Sequence, residues 1–392
     1  MRAPLNPNLA RTLSSPIVEA ASWLRTAPQD PALPLLNVSQ AAPIAPPPEP
    51  LRQAMAEAIL TRTEAHLYGP VLGLPELRQA LADHTGRLYG GAVGFDQTGI
   101  TSGCNEAFTA VMTTLAQAGD EVIFPVPWYF NHAMWADMSG VRPVALPTGP
   151  DLLPDPEHAE SLITAKTRAI VLITPNNPSG AEYPPALIEA FYKLCQKRKI
   201  ALVLDETYRD FHSQDGAPHG LFQDPDWDQT LIHLYSFSKA FRLTGHRVGA
   251  VITNPERLKQ VEKYLDTVTI CATPLGQIGA LYGLTHLTDW LAQERAEILR
   301  RRAAVLREAQ DLPSWDLLGC GAYFAYFKHP HPISSAELAP LLVSQAQILL
   351  LPATFFYPAS DPRGAFETRI AFANITPEQI TNLFARLRHL AL

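Results

Sequence analysis

Lys239 is the residue whose neighbours in the sequence point most directly to chemistry. It follows an apolar run that begins at Leu231, and Ser236 and Ser238 stand just before it. Arg247 comes eight residues later. An amine in a desolvated pocket loses its proton more easily than one in water, and it can then attack a carbonyl to form a Schiff base. Two hydroxyls and a guanidinium suit a phosphate dianion. The run therefore predicts a lysine nucleophile beside a phosphate site.

An aldehyde that also carries a phosphate would use both parts of this run, and pyridoxal phosphate is such a compound. The alternative is a solvated lysine at a strand end, with serines that only form turns. A short motif does not decide between these interpretations without its structural context. The rest of the chain therefore has to supply that context.

Composition limits the classes of protein to which this chain can belong. Its 392 residues fit two domains, or a large domain with a smaller one. Hydrophobic residues make up 47% and charged residues 18%, which is typical of a folded globular protein. The net charge of -7 is spread without basic clusters, so we expect neither nucleic acid nor a membrane as a partner.

The cysteines and the N-terminus bear on the compartment. The four cysteines are far apart and include no Cys-x-x-Cys pair, so we expect no metal site and no disulfide framework. This usage favours a reducing, cytoplasmic environment. Residues 1–16 faintly resemble a transit peptide, but Pro4, Pro7 and Pro16 would interrupt an amphipathic helix. We predict an ordered arm that packs on the body of the protein.

Apolar runs alternate with amphipathic stretches along most of the chain. The predicted strands are 99–103, 121–127, 143–148, 169–175, 200–206, 231–238, 249–253 and, later, 321–327. The predicted helices are 106–118, 186–198, 254–264, 285–310, 335–346 and one from Pro377. The earlier strands are apolar throughout rather than alternating, which indicates a parallel sheet covered by helices on both faces.

Ligands of open parallel sheets bind at the carboxyl ends of the strands. The first strand runs into Gly103-Cys104-Asn105 and a helix, whose free N–H groups would form an anion site. Tyr129 follows the second strand and could stack on a flat ring, although such aromatic residues are more often part of a core. Asn177 follows the fourth strand in a Pro- and Gly-rich loop that a plain turn would also explain.

Asp205 ends the strand at 200–206, and Tyr208 comes three residues later. A buried acid is costly unless it is paired. A protonated pyridine nitrogen is a suitable partner, and the contact would make the ring an electron sink. A loop cap is the structural alternative for Asp205.

Taken in order, these segments resemble the class I/II aminotransferases, which are fold-type I pyridoxal-phosphate enzymes. The resemblance rests on Gly-Cys-Asn, Pro-x-Pro-Trp-Tyr, Asn-Asn-Pro-Ser-Gly, Asp-Glu-Thr-Tyr, Ser-Phe-Ser-Lys with Arg247, a Tyr-Gly segment at Tyr68 and Thr-Arg-Ile at Arg369. It covers roughly residues 35–390. It implies an α/β fold, with a mostly parallel seven-stranded sheet between helices and a smaller α+β domain. The expected ranges are 1–45 for an arm and part of the small domain, 46–284 for the cofactor-binding domain and 285–392 for the small domain.

The resemblance also implies a role for each matching residue. Lys239 would form the Schiff base and carry the proton, Asp205 would pair with the pyridine nitrogen, and Tyr208 and Asn177 would bind the phenolic oxygen. Tyr129 would stack on the ring, and Arg369 would hold the substrate carboxylate together with Asn177. The phosphate ligands would be Gly103, Cys104, Asn105, Ser236, Ser238 and Arg247, with Tyr68 reaching the phosphate of the other subunit of a homodimer.

Some positions depart from the family pattern. Many relatives have glycine in the segment that reads Ser39-Gln40-Ala41-Ala42 here, so Ala41 is expected beside the substrate. Relatives also often have Pro-Gly at Pro352-Ala353. These changes bear on side-chain preference rather than on the chemistry. Trp23, Trp128 and Phe355 are a weak hint of apolar or aromatic substrates.

The predicted function is a transaminase that moves an amino group from an amino acid to a 2-oxo acid by a ping-pong mechanism. Another reaction of the same cofactor, such as beta-elimination or a synthase reaction, stays open because pocket geometry selects the bond that breaks. A cofactor-sensing regulator is disfavoured, since about 35 residues before the match leave no room for a DNA-binding domain.

Overall fold

The computed structural model describes residues 3–28, 30 and 32–390. In chain order its strands are β1 (Leu36–Asn37), β2 (Thr98–Thr101), β3 (Glu121–Val126), β4 (Arg142–Pro147), β5 (Thr167–Ile173), β6 (Ala201–Asp205), β7 (Leu231–Ser236), β8 (Gly249–Ile252), β9 (Asp316–Gly321), β10 (Phe324–Lys328), β11 (Ile348–Leu349), β12 (Leu351–Pro352) and β13 (Glu367–Ile370). The α-helices are α1 (Pro7–Arg11), α2 (Pro16–Thr26), α3 (Glu49–Thr61), α4 (Pro75–Tyr89), α5 (Cys104–Leu115), α6 (Phe130–Ser139), α7 (Pro156–Leu162), α8 (Pro185–Arg198), α9 (Phe237–Ala240), α10 (Pro255–Val268), α11 (Pro274–His286), α12 (Thr288–Gln310), α13 (Ser335–Ala346) and α14 (Pro377–Arg388).

A seven-stranded sheet in the order β2-β8-β7-β6-β5-β3-β4 forms the centre of the molecule. The strands β4, β3, β5, β6 and β7 run parallel, whereas β8 is antiparallel to both of its neighbours. Every residue of β3, β6 and β7 is buried, because helices cover both faces of the sheet. The predicted α/β fold is confirmed, and each of the first seven predicted strands overlaps one strand of this sheet.

A second, four-stranded sheet in the order β12-β13-β10-β9 is antiparallel and comes from the last third of the chain. The short strand β1 pairs with β11, so the segment near residue 36 lies with this C-terminal unit. The predicted domain ranges stay predictions, and residues 1, 2, 29, 31, 391 and 392 lie outside the described part of the chain.

The strand predicted at 321–327 overlaps β10, but its predicted start is wrong. Gly321 ends β9, Ala322 has a φ of 44° and β10 begins at Phe324, so the segment is a tight hairpin. All of these residues are buried, and a turn that is as apolar as its strands gives no sign in the sequence. The predicted helix at 285–310 begins at Thr288, and a separate helix, α11, ends at His286 just before it.

The N-terminal arm is ordered where the structure describes it. Helix α1 packs against α6, and α2 packs against α13. Within the described residues, no helix is both long and apolar enough to cross a membrane. In the same part of the chain, no group of three or more His, Cys, Asp or Glu side chains is arranged to hold a metal ion.

Candidate active site

A cavity of about 430 Å³ lies at the carboxyl ends of the parallel strands, where the sequence predicts the site. Its walls come from both sheets and from the N-terminal arm. Twelve of the predicted residues line it: Ala41, Cys104, Asn105, Tyr129, Asn177, Asp205, Tyr208, Ser236, Ser238, Lys239, Arg247 and Arg369. The others that line it are Ser15, Ile17, Gln40, Phe130, Asn131, Ile173, Thr207 and Thr244.

Lys239 lies in the short helix α9, directly after β7. Its Nζ donates a hydrogen bond to the carbonyl oxygen of Ala41. Burial, together with the charges of Arg247 and Arg369, lowers the pKa of Lys239 to about 8. Near neutral pH a substantial minority of these amines is therefore unprotonated, as a nucleophile must be.

Asp205 ends β6 and is only 5% exposed. One oxygen accepts a hydrogen bond from the backbone N–H of Thr207 at 3.0 Å and lies 3.7 Å from Cys104 Sγ. The other oxygen lies 3.6 Å from Nε2 of His132. Burial lowers the pKa of His132 to about 3, so this imidazole is neutral. Among the described residues Asp205 has no lysine or arginine at ion-pair distance, and it can receive a cationic group of a ligand.

Two tyrosines also line the cavity. Tyr208 is buried, and its ring centroid lies 6.0 Å from Lys239 Nζ. Burial raises the pKa of Tyr208 well above its ordinary value, so its hydroxyl keeps its proton and can donate it in a hydrogen bond. Tyr129 begins the turn into α6, and its hydroxyl accepts a hydrogen bond from Asn131 at 2.8 Å.

Gly103 and Arg247 shape the opposite end of the cavity. Gly103 caps α5 at a φ of 92°, which favours glycine, and a Cβ there would lie 2.2 Å from Arg247 Nη2. Arg247 Nη1 is 3.4 Å from Ser238 Oγ and 3.1 Å from the carbonyl oxygen of Thr244. The guanidinium, a hydroxyl and the N–H groups that begin α5 thus converge, as an anion site requires.

Arg369 on β13 lies at another wall and is 2% exposed. Its guanidinium carbon is 5.0 Å from the ring centroids of both Phe324 and Phe356. It donates to Asn177 Oδ1 at 2.8 Å and to the carbonyl oxygen of Ser39. Burial lowers the pKa of Arg369 to about 10, and no carboxylate among the described residues pairs with it. A buried, unpaired guanidinium is a suitable partner for a substrate carboxylate.

Two predicted residues do not line the cavity. Gly103 packs against the Arg247 guanidinium, which does line it. Tyr68 is 80% exposed and also does not line the cavity, so within one chain it cannot act at this site.

The three residues that suggested apolar or aromatic substrates do not line the cavity, and the substrate preference stays a prediction. Trp23, Trp128 and Phe355 pack in the hydrophobic core around β3, and none of them lines the cavity. His132 and Thr207, which contact Asp205, were not predicted from the sequence. Thr207 lies within the Asp-Glu-Thr-Tyr motif, which was a usable signal. His132 had no such signal, because only the packing of α6 on the sheet brings it there.

Comparison with known proteins agrees with this geometry. The model of the family described as aminotransferase class I and II matches residues 35–387. This chain belongs to that family.

Aminotransferases of several organisms are similar to the chain over most of their length. It is 28% identical to an aspartate aminotransferase of Pyrococcus horikoshii, over 74% of this chain and 75% of that protein. It is 32% identical to an aromatic amino acid aminotransferase of Corynebacterium glutamicum, over 67% and 73%. The structure of Thermus thermophilus aspartate aminotransferase with maleate superposes with a TM-score of 0.88 at 25% identity, over 99% of both chains. The protein is therefore an aminotransferase.

Proposed function

We propose that this aminotransferase binds pyridoxal 5'-phosphate at Lys239 and uses it to move an amino group from an amino acid to a 2-oxo acid in a ping-pong cycle. One observation carries the proposal. A lysine of lowered pKa, a buried carboxylate and a buried guanidinium all face a single cavity, and among the described residues neither the carboxylate nor the guanidinium has a lysine, arginine or carboxylate as counter-ion.

The residues present fit the cofactor. Arg247, Ser238, Ser236 and the N–H groups that begin α5 would hold the phosphate, and Asn105 lies beside them. Asp205 would face the ring nitrogen and keep it protonated, because a buried carboxylate is stabilised by a cation. When bound, the cofactor supplies a carbonyl that reacts with amines and a ring that accepts electrons from the substrate's alpha carbon.

The side chains around the ring each have one task in this proposal. Tyr208 and Asn177 donate hydrogen bonds to the ring's phenolic oxygen, while Tyr129 covers one face of the ring. Cys104 Sγ lies against the Asp205 carboxylate; burial raises the pKa of this thiol well above its usual value, so the thiol stays neutral.

Lys239 would also serve as the general base and acid. With its pKa near 8, its Nζ can take a proton from the substrate's alpha carbon and return it at a neighbouring position. Arg369 would hold the alpha-carboxylate with two parallel hydrogen bonds, which fixes the C–H bond relative to Nζ. Ala41, whose carbonyl oxygen binds Nζ, would lie beside the substrate.

We also propose that the enzyme acts as a cytoplasmic homodimer with shared active sites. Leu60, Leu67 and Tyr68 are 84%, 60% and 80% exposed, and Ile44 is 75% exposed. Large apolar side chains clustered in one segment favour a protein interface. In a dimer Tyr68 would reach the phosphate in the partner's cavity. The well-separated cysteines, free among the described residues, agree with a reducing compartment.

A panel of amino donors with 2-oxoglutarate tests the reaction. Transamination forms glutamate and the donor's 2-oxo acid in equal amounts, and loss of the cofactor's absorbance follows the first half-reaction with each donor. Release of ammonia and pyruvate without glutamate would instead identify beta-elimination and refute this proposal.

A further inference from the structure

A buried polar cluster lies behind the segment that carries Asp205 and Tyr208. We call it the rear cluster; it consists of Tyr89, Glu206, Arg209, His219 and His233. Glu206 is fully buried, and one of its oxygens, Oε2, is the point where the cluster converges. Tyr89 donates its hydroxyl proton to this oxygen, His233 Nε2 lies 2.8 Å from it, and His219 Nε2 lies 3.4 Å from it.

These partners come from three separate parts of the fold. Tyr89 ends α4, His233 lies on β7, and His219 precedes a 3₁₀ turn at Leu221–Gln223. The rings also stack, since the centroids of Tyr89 and His219 are 4.5 Å apart with an interplanar angle of 26°. Glu206 therefore connects β6 to a helix, a strand and a loop at one oxygen atom.

Arg209 makes a second connection three residues later. It is 3% exposed, and its guanidinium carbon lies 4.2 Å from the ring centroid of Tyr235. Its neighbour Asp210 accepts a hydrogen bond from the Tyr235 hydroxyl at 2.8 Å and lies 3.4 Å from Arg209 Nη2. The aromatic face and the carboxylate together hold a buried cation.

Two hydrogen-bond donors, Tyr89 and His233, contact Oε2 of Glu206, whereas its other oxygen, Oε1, has no partner among the described residues. Burial alone would raise the pKa of Glu206, but His219 and His233 beside it bring that pKa well below its ordinary value. Burial lowers the pKa of His233, so this imidazole is neutral and donates its N–H. A carboxylate in such a site is costly to bury and very costly to leave without its donors. When its hydrogen bonds are made, such a network holds the groups that it joins in one arrangement.

The rear cluster lies outside the cavity, next to residues that line it. Asp205, Thr207 and Tyr208 line the cavity, whereas no member of the rear cluster does. Glu206 and Arg209 thus contact the rear cluster while their neighbours in the same segment face the cavity. The backbone links them: Glu206 N–H donates to the carbonyl oxygen of Leu234 at 3.0 Å, and Arg209 N–H donates to that of Glu206 at 3.1 Å. A displacement of the Glu206 backbone would therefore be passed on to Asp205, to which it is bonded.

We propose that Glu206 is a positioning residue. Its contacts within the rear cluster hold the segment 205–210 in place, so that Asp205 and Tyr208 meet the cofactor ring at fixed positions. It acts through those two residues and touches neither cofactor nor substrate. This inference rests on the proposed function, because it assigns to Asp205 and Tyr208 the roles given above.

Two variants test the proposal. Glu206→Gln keeps the size of the side chain and removes its charge, and Tyr89→Phe removes one donor to Glu206 and keeps the ring. Two quantities are measured for each variant. Equilibrium dialysis over a range of pyridoxal phosphate concentrations gives the cofactor Kd. A pH titration of the saturated protein gives the midpoint of the bound cofactor's absorbance change. Glu189→Gln is the matched control, because Glu189 is an exposed residue that pairs with Lys193 on α8.

For Glu206→Gln we expect a Kd about tenfold higher and a midpoint raised by about one pH unit, because small displacements of positioned groups have large effects. The midpoint rises since a displaced Asp205 no longer holds a positive charge on the ring. Tyr89→Phe should change both quantities in the same direction by a smaller amount, and the control should leave both unchanged.

A purely structural role would lower thermal stability and leave the midpoint of the folded holoenzyme unchanged, and that result would overturn the proposal. If Glu206→Gln does not fold, Tyr89→Phe decides the question alone. A wild-type protein that fails to bind pyridoxal phosphate would refute the proposed function itself, which separates the two failures.

Discussion

Charged side chains are arranged differently at the two ends of the parallel strands in the seven-stranded sheet. We call the side where these strands begin the amino edge and the side where they end the carboxyl edge. At the amino edge charges are paired with one another: Arg168 lies 2.8 Å from Asp120, and Lys197 and Arg198 both contact Glu160. At the carboxyl edge Asp205, Lys239 and Arg369 line one cavity, and none forms an ion pair with another. Asp205 and Arg369 are buried, and Lys239 is half-buried.

This difference separates structural charges from functional ones. An exposed ion pair adds little to stability and needs no ligand. A buried charge without a counter-ion is expensive, and a ligand of opposite charge that enters the cavity would compensate it. We therefore expect substitutions at the carboxyl edge to change turnover strongly and substitutions at the amino edge to change it little.

Lys239→Ala should have the largest effect. Without the amine there is neither a nucleophile nor a base, and turnover should fall by at least about 10⁴-fold. Borohydride reduction of the holoenzyme should add the cofactor's mass to the peptide that contains Lys239 in the wild type, and should add nothing in the variant. Lys193→Ala, on the exposed face of α8, should behave as wild type in both assays. A trapped adduct in Lys239→Ala would refute the assignment.

Asp205→Asn should reduce turnover about 10³-fold, because an amide of the same shape cannot balance a protonated ring nitrogen. The affinity for the amino donor should change little, since Arg369 provides that contact. Steady-state kcat and KM separate the two effects. A variant whose KM rises while kcat is preserved would show that Asp205 serves binding and not the chemistry.

Lys239→Met should stabilise the cofactor-free protein at pH 7 by about 3 kcal/mol, because burial lowers the pKa of Lys239 from 10.5 to about 8. The sign follows from linkage: the unfolded chain binds this proton more tightly, so protonation favours unfolding. The penalty is full below about pH 8 and disappears above the unfolded pKa of 10.5. Urea unfolding of both proteins at pH 7 and pH 10.5 measures it. An equal difference at both pH values would contradict the assigned pKa.

Arg369→Lys should lower kcat/KM about 20- to 100-fold, mainly through KM. The charge is kept, but a single ammonium cannot make two parallel hydrogen bonds to a carboxylate. Cofactor absorbance should be unchanged, because Arg369 faces the substrate end. A comparable loss in cofactor binding would place this residue at the wrong end of the cavity.

The sequence located residues that line the cavity better than it located the bounds of the elements around them. Residues at the ends of buried strands, such as Asp205 at the end of β6, were located because parallel strands end at one edge. Arg369 was placed by resemblance alone, since nothing local shows that β13 of the other sheet reaches this cavity. The hairpin at Ala322 was missed because its turn is as apolar as its strands, and the contact of His132 was missed because it depends on long-range packing, which leaves no periodicity to detect.

Arg168→Ala should have the smallest effect and completes the comparison. Arg168 is 41% exposed along its side chain and pairs with Asp120 at the amino edge. We expect the free energy of unfolding to fall by less than about 1 kcal/mol and kcat/KM to stay at the wild-type value, because the pair is partly solvated and far from the cavity. Urea unfolding and the donor assay measure both quantities. If this variant lost activity as Arg369→Lys does, charge pairing would not distinguish the two edges, and the argument from unpaired buried charges would fail.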